Sequence, residues 1–257
     1  MRVLEENERR CVFRFYEELN DFLPEEKKKT SFSFDFSGTP SVKDSIEALG
    51  APHTEVDLIV VDGRSVGFDY LLQGGERVAV YPVFEGLDIS SLQHLRLAPL
   101  RETRFVLDVH LGKLARYLRL AGFDTIYNKD LDDPQLAEIS QAEKRVLLTR
   151  DLGLLKRRTV TRGYWVRSQD PTLQLREVIR RFDLSLKQFL GRCAECNGEI
   201  RSIAKEAIED RLEENTKKYY TDFYICASCG NIYWEGSHVQ AIARLFSEQY
   251  RASEEFT

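Results

Sequence analysis

The sequence predicts an α/β protein made of three successive units: a small α+β domain, a parallel-sheet domain and a cysteine-rich lobe. Three observations carry that expectation. Strand patterns with one helix pattern among them occupy roughly residues 11 to 98. From about residue 101 to 189, short apolar strands alternate with amphipathic helices, the order that builds a parallel sheet covered on both faces. Past residue 190 come two Cys-x-x-Cys pairs, Cys193/Cys196 and Cys226/Cys229, with 29 residues between them. The boundaries that follow are 1–98, 101–189 and 190–250.

In the first unit Phe32, Phe34 and Phe36 alternate with polar residues, as a half-buried strand requires. Ser41-Val42-Lys43-Asp44 has the form of a capping box. Val42, Ile46 and Leu49 then share one helical face, and Gly50 suits the stop. Val56 to Val61 is apolar and β-branched, and Asp62-Gly63 after it signals a hairpin turn. Arg77 to Tyr81 supplies the last strand.

In the second unit Phe105-Val106-Leu107 reads as a short buried strand. A helical stripe of Leu111, Leu114, Ala115 and Leu118 follows and is closed by Gly122. Thr125-Ile126-Tyr127, Val146-Leu147-Leu148-Thr149 and Tyr164-Trp165-Val166 are further strands. Asp133-Pro134 and Asp170-Pro171 each mark a helix start, with the cap set just before a proline. The second of these helices carries Leu175, Val178, Ile179 and Phe182 on one face. The third unit ends in a helix with Ser237 as its cap and Val239, Ile242 and Phe246 on its apolar side.

Composition narrows the function classes. The 257 residues are 42% hydrophobic and 31% charged, enough for two or three compact units with cores of their own. No stretch approaches the ~20 apolar residues of a membrane span, and Met1 to Arg10 has no apolar signal core, so neither membrane insertion nor export is expected. Four cysteines fall in the two pairs and Cys11 stands apart, which fits a reducing cytoplasm. The formal charge of −5 hides an uneven distribution: residues 150–181 hold nine Lys/Arg against three Asp/Glu. Such a stretch suits an anionic partner, or is simply a solvated face.

The chemistry concentrates at two places. A two-residue spacer lets both sulfurs of a pair turn toward one point, and the glycines of Cys-Asn-Gly and Cys-Gly-Asn tolerate the positive φ of such a knuckle. Two knuckles face to face make a tetrahedral four-thiolate site, the geometry of structural Zn²⁺; a pair of disulfides is the competing reading. Elsewhere, Asp108 directly follows one expected strand, and Asp151 lies two residues past Thr149, the end of another. Strand ends of an open parallel sheet share one rim, so two carboxylates distant in sequence should converge there.

Asp130, Asp132 and Asp133 precede the intervening helix, whose N-terminus should face the same rim. Asp133 reads as the cap, which makes Asp132 the better ligand without separating the two. Carboxylates gathered in this way repel one another unless a cation neutralises them, and hard oxygen ligands suit Mg²⁺ or Mn²⁺. That arrangement activates water for phosphodiester hydrolysis. Arg150, Lys156, Arg157 and Arg158 could then hold a phosphate backbone. Asp170 reads as a cap, His110 and His238 are as well explained by packing, and Arg116 and Arg119 share one exposed helix face.

These residues resemble a known family. Phe105-Val106-Leu107-Asp108, Leu111 to Arg119, Gly122-Phe123-Asp124 and Leu148-Thr149-Arg150-Asp151 are similar to the mut-seven C-terminal ribonucleases, a PIN-like nuclease domain followed by a zinc ribbon. The two cysteine knuckles and the segment Tyr233 to His238 are similar to that ribbon. The resemblance spans roughly residues 101 to 245. It implies a metal-dependent ribonuclease with Asp108, Asp151 and an acid from the Asp132/Asp133 pair in its acidic site.

The first unit resembles the ubiquitin-like β-grasp domain fused ahead of that nuclease, through Arg14-Phe15-Tyr16, Leu19 to Pro24, Ser41 to Asp44 and Val78 to Phe84. It is similar to sulfur-carrier proteins, which react through a free C-terminal Gly-Gly. Here Gly74-Gly75 is internal and the last strand runs on through Gly86 into a linker. Carrier chemistry is therefore not expected, and RNA binding, docking to a protein partner or a structural role is left. The leading alternative for the whole chain is a non-catalytic RNA-binding protein with a structural zinc ribbon. A haloacid-type phosphatase would want Asp-x-Asp after its first strand, whereas this chain reads Asp108-Val109-His110.

Overall fold

The computed structural model describes residues 8–82, 103–186 and 188–254. The expected linker, with Val83, Phe84 and Gly86, lies outside the described residues. The chain divides into two compact units: Met1–Arg101 with Leu152–Gly163, and Glu102–Asp151 with Tyr164–Thr257.

The first unit holds β1 (Arg9–Phe15), β2 (Phe32–Phe36), α1 (Val42–Ala48), β3 (Leu58–Val61), β4 (Arg64–Val66) and β5 (Arg77–Tyr81). Their sheet order is β2-β1-β5-β3-β4, with β1 and β5 parallel and the remaining pairs antiparallel, the β-grasp arrangement. Strand β1 is an addition to the sequence reading. Its alternation places Cys11, Phe13 and Phe15 in the core while Arg10 and Arg14 stay exposed.

Helix α1 starts where the sequence places it, because the Ser41 hydroxyl accepts from Asp44 N–H at 3.1 Å. Val42, Ile46 and Leu49 are buried, each of them contributing about 1.5–3 kcal/mol by leaving water. Asp62 and Gly63 both take positive φ, 46° and 81°, as a two-residue hairpin turn of the primed type demands.

The second unit is built on β6 (Phe105–Leu107), α2 (Gly112–Leu120), β7 (Thr125–Tyr127), α3 (Asp133–Ala142) and β8 (Val146–Thr149). After β8 the chain makes α4 (Leu152–Leu155), which packs in the first unit, and returns as β9 (Gly163–Trp165) and α5 (Pro171–Arg181). The sheet order is β7-β6-β8-β9, with β6 parallel to both β7 and β8. Three of its strands coincide with the apolar runs of the sequence, and β9 begins one residue earlier than expected. The core is aromatic: Phe105 meets Phe123 and Phe182 edge-on, with centroids 6.0 and 5.8 Å apart.

The last elements are β10 (Ile200–Ile203), α6 (Glu214–Tyr219), β11 (Phe223–Cys226), β12 (Ile232–Trp234) and α7 (Ser237–Glu254). The three strands form an antiparallel ribbon in the order β10-β11-β12. Ser237 is the first residue of α7 and lies inside the helix. That helix turns back on the parallel-sheet domain, where Phe246 stacks on Phe123 at 6.2 Å. No helix among the described residues is long and apolar enough to cross a membrane.

Candidate active site and metal centre

Strand β6 stops at Leu107, and Asp108 continues the register by donating its N–H to the Leu148 carbonyl at 3.1 Å. Its side chain caps the 3₁₀ turn Val109–Leu111, with Oδ1 accepting from Val109 N–H at 2.5 Å. Oδ2 accepts from the Thr149 hydroxyl at 2.7 Å. The same hydroxyl oxygen accepts the Asp151 N–H at 2.9 Å. One threonine therefore joins the ends of β6 and β8, with a single hydroxyl between the Asp108 carboxylate and the Asp151 backbone. Asp108 is only 7% exposed, so these donors make the hydrogen bonds that water would otherwise supply.

In the sequence Thr149 reads only as the last residue of a strand. Its signal was a hydroxyl at the last position of a strand, two residues before an acid. The 3₁₀ turn after Asp108 has further support, because Tyr127 donates its hydroxyl to the Val109 carbonyl at 3.1 Å. Gly112 makes room for that ring: a Cβ there would lie 2.7 Å from the Tyr127 oxygen.

Asp132, not Asp133, is the cap of α3. Its Oδ1 accepts from Gln135 N–H at 2.9 Å, and the Gln135 side chain accepts the Asp132 N–H at 3.0 Å, a complete capping box. Asp133 is the first helical residue, because Pro134 fits the second position as well as the first. Asp170 caps α5 as expected, bonding Thr172 and Leu173 N–H at 2.9 and 3.0 Å. Among the described residues, the four cysteines are the ligating side chains that come within 4.8 Å of one another as a group of three or more; the aspartates form no such group.

The basic residues divide by what they touch. Arg150 is turned toward the segment after β9, where Nη1 donates to the carbonyls of Arg167, at 3.2 Å, and Ser168. Lys156 donates to the carbonyl of Glu47 at 2.9 Å within the first unit. Arg157 and Arg158 are exposed. His110 is exposed beside Asp108, and the His238 side chain lies outside the described residues.

The knuckles bring Cys193 Sγ to 3.5 Å from Cys229 and Cys196 Sγ to 3.5 Å from Cys226. Four sulfurs at this spacing can hold a metal ion. The positive φ falls on Asn197 (64°) in the first knuckle and on Gly230 (74°) in the second, so in the first it is the asparagine, not Gly198, that makes the turn. Gly198 serves close approach instead, since a Cβ there would lie 3.1 Å from Cys226 Sγ. Burial alone would raise the Cys226 thiol, yet backbone N–H groups of Cys229 and Ser228 and the neighbouring thiols bring it down to about 6, favouring the ligating thiolate. The Tyr233 hydroxyl sits 3.0 Å from Cys193 Sγ and accepts from Ala194 N–H at 3.1 Å.

Residues 103–246 match the family described as Mut7-C RNAse domain. The chain belongs to this family. Residues 9–88 match a second description, Mut7-C ubiquitin, which covers the β-grasp sheet. No curated protein and no solved structure matches the chain.

The Mut7-C RNAse match runs through parallel sheet and ribbon alike, and a buried network joins the two. Arg119, expected on an exposed helix face, is only 4% exposed. Its guanidinium donates to the carbonyls of Thr125, Ala194 and Glu195, each at 2.9 Å. Arg116, on the same helix, is exposed and pairs with Glu195 at 3.0 Å. Asn197 reads the other side: its amide donates to Asp124 Oδ1 at 2.7 Å and its oxygen accepts Thr125 N–H at 3.1 Å. Arg145 completes the network with a 2.9 Å ion pair to Asp124.

Proposed function

We propose that this Mut7-C protein is a divalent-metal-dependent ribonuclease that hydrolyses RNA phosphodiester bonds. The observation that carries the reading is the Thr149 hydroxyl tying the Asp108 carboxylate to the Asp151 backbone N–H, which puts both residues at the ends of two parallel strands. Two carboxylates at such a rim fit Mg²⁺ or Mn²⁺, which bind through one or two carboxylates and keep waters for the rest of their shell. Asp108 and Asp151 would hold the ion, with Asp132 or Asp133 from the head of α3 as the further acid. When bound, the ion supplies charge neutralisation and a more acidic water.

The protein's own residues do the remaining work. Thr149 and Val109 fix both oxygens of Asp108, so the carboxylate keeps one orientation as charge builds up around it. Arg157 and Arg158, with Lys156 and Arg150, supply positive charge against the RNA backbone. The four cysteines hold structural Zn²⁺, in keeping with a reducing cytoplasm.

A second reading, RNA binding without cleavage, draws support from the engagement of Asp132 as a helix cap and from the spread of the aspartates. One assay separates the two. End-labelled single-stranded and structured RNA is incubated with the protein and Mn²⁺, Mg²⁺ or chelator. Metal-dependent products that vanish in Asp108→Asn support the nuclease; RNA retention without products in any metal supports the binder. Elemental analysis should find one zinc per chain.

A further inference from the structure

Residues Leu152–Gly163 fall inside the Mut7-C RNAse match, yet they pack in one compact unit with the β-grasp residues. The attachment is specific. His53 lies in the 3₁₀ turn His53–Glu55 and is 6% exposed. Its Nδ1 is 2.6 Å from Glu47 Oε1, near the end of α1, and its Nε2 is 2.8 Å from the carbonyl oxygen of Val160. Both ring nitrogens therefore lie within hydrogen-bond distance of an oxygen, one from α1 and one from the 152–163 segment. Phe68 meets the imidazole edge-on at 5.7 Å and restricts its plane. Lys156 adds a second tie, its Nζ donating to the Glu47 carbonyl at 2.9 Å. Leu154, Leu155 and Val160 of the same segment are fully buried.

We infer that the β-grasp domain is a clamp in cis for this segment of the nuclease. Helix α1 and the His53 turn hold residues 152–163, Lys156 among the ties, and with them the exposed Arg157 and Arg158 that would meet the phosphate backbone. The RNA part of this inference rests on the ribonuclease reading; the clamp itself does not. His53 and Glu47 are positioning residues, acting through the segment they hold. A ubiquitin-like fold without a free Gly-Gly end thus keeps a docking role, and the docked peptide is part of its own chain.

Hydrogen exchange on the full chain tests the clamp. The amides of Lys156, Arg157 and Val160 donate within the segment, to Leu152, Leu154 and Arg157 carbonyls, and report its order. In His53→Ala they should exchange roughly tenfold faster, while amides of β1 and β5 keep their protection. Should His53→Ala strip β1 and β5 as well, Glu47→Ala is the variant to read, and the same segment-limited rise is expected. Unchanged segment protection in a folded variant overturns the clamp.

RNA affinity, measured in an Asp108→Asn background so that cleavage does not intrude, should weaken about tenfold with the loosened segment. Unchanged affinity there removes the positioning role. If the parent neither binds nor cuts RNA, the ribonuclease reading fails, while the exchange data still decide the clamp.

Discussion

Thr149 spends its one hydroxyl twice, donating to Asp108 and accepting from Asp151 N–H. Replacing it by Val keeps the shape and leaves both groups without that partner. Cleavage should fall about 10- to 100-fold, as for other residues that orient metal-ligating carboxylates. Stability should fall by about 1–3 kcal/mol, read from the denaturant midpoint. A Thr149→Val protein that cuts RNA at the parent's rate would remove the bridge from the mechanism. Asp124 makes a different prediction. Burial would raise its carboxyl, but the Arg145 guanidinium and the Asn197 amide outweigh that and hold it below the usual range. A depressed folded value stabilises the protein above the ordinary carboxylate pKa of about 3.9, and that stability drains away as pH falls through the folded value. Asp124→Asn should therefore flatten the acid limb of a stability-versus-pH curve; an unaltered limb would place the acid sensitivity elsewhere. Cys11 needs no such test as a nucleophile, since burial and its bond to Glu76 push the thiol up to about 11.

Helix α3 separates two roles that the sequence could not. An Asn at position 132 still caps a helix but carries no charge. Asp132→Asn should hold the unfolding midpoint within about 0.5 kcal/mol, whereas Asp132→Ala should cost about 1 kcal/mol. If Asp132 is the further acid, Asp132→Asn also depresses cleavage more than Asp133→Asn does, and the reverse order would transfer that role to Asp133. Elements of this kind were legible in proportion to their local signal. Strands β5, β6, β7 and β8 have the bounds their sequence runs predict, most plainly β6 and β8, where every residue is buried and the run is apolar up to the closing Thr149. Strand β1 carries a weaker signal although Cys11, Phe13 and Phe15 alternate, since Val12 between Arg10 and Arg14 breaks the apolar/polar alternation on its outward side. Helix α4 is a single turn, too short to show a period. Arg119 was misread for a non-local reason: its acceptors at Ala194 and Glu195 are far along the chain, and nothing in its own helix announces them.

At the scale of the molecule, the cysteine centre is expected to act as a structural member of the nuclease. Arg119 and Asn197 connect the first knuckle to β7, so losing the metal should loosen the sheet as well as the ribbon. Prolonged treatment with a strong chelator should lower the melting temperature, and returning Zn²⁺ alone should restore it without restoring cleavage until Mg²⁺ or Mn²⁺ is added. A melting temperature indifferent to zinc would detach the ribbon from the fold. The knuckles and the strand-end aspartates could be read from spacing alone. Which basic side chains are tied to carbonyls, as Arg150 and Lys156 are, could not, because a cationic side chain has the same appearance in sequence whether it meets solvent or a backbone oxygen. A protease cut within residues 83–102 would break the covalent thread yet leave the two fragments associated, because Leu152–Gly163 of the larger one still packs in one compact unit with the smaller. Such a nicked molecule should migrate as one species on a native gel and fall into two bands only in detergent.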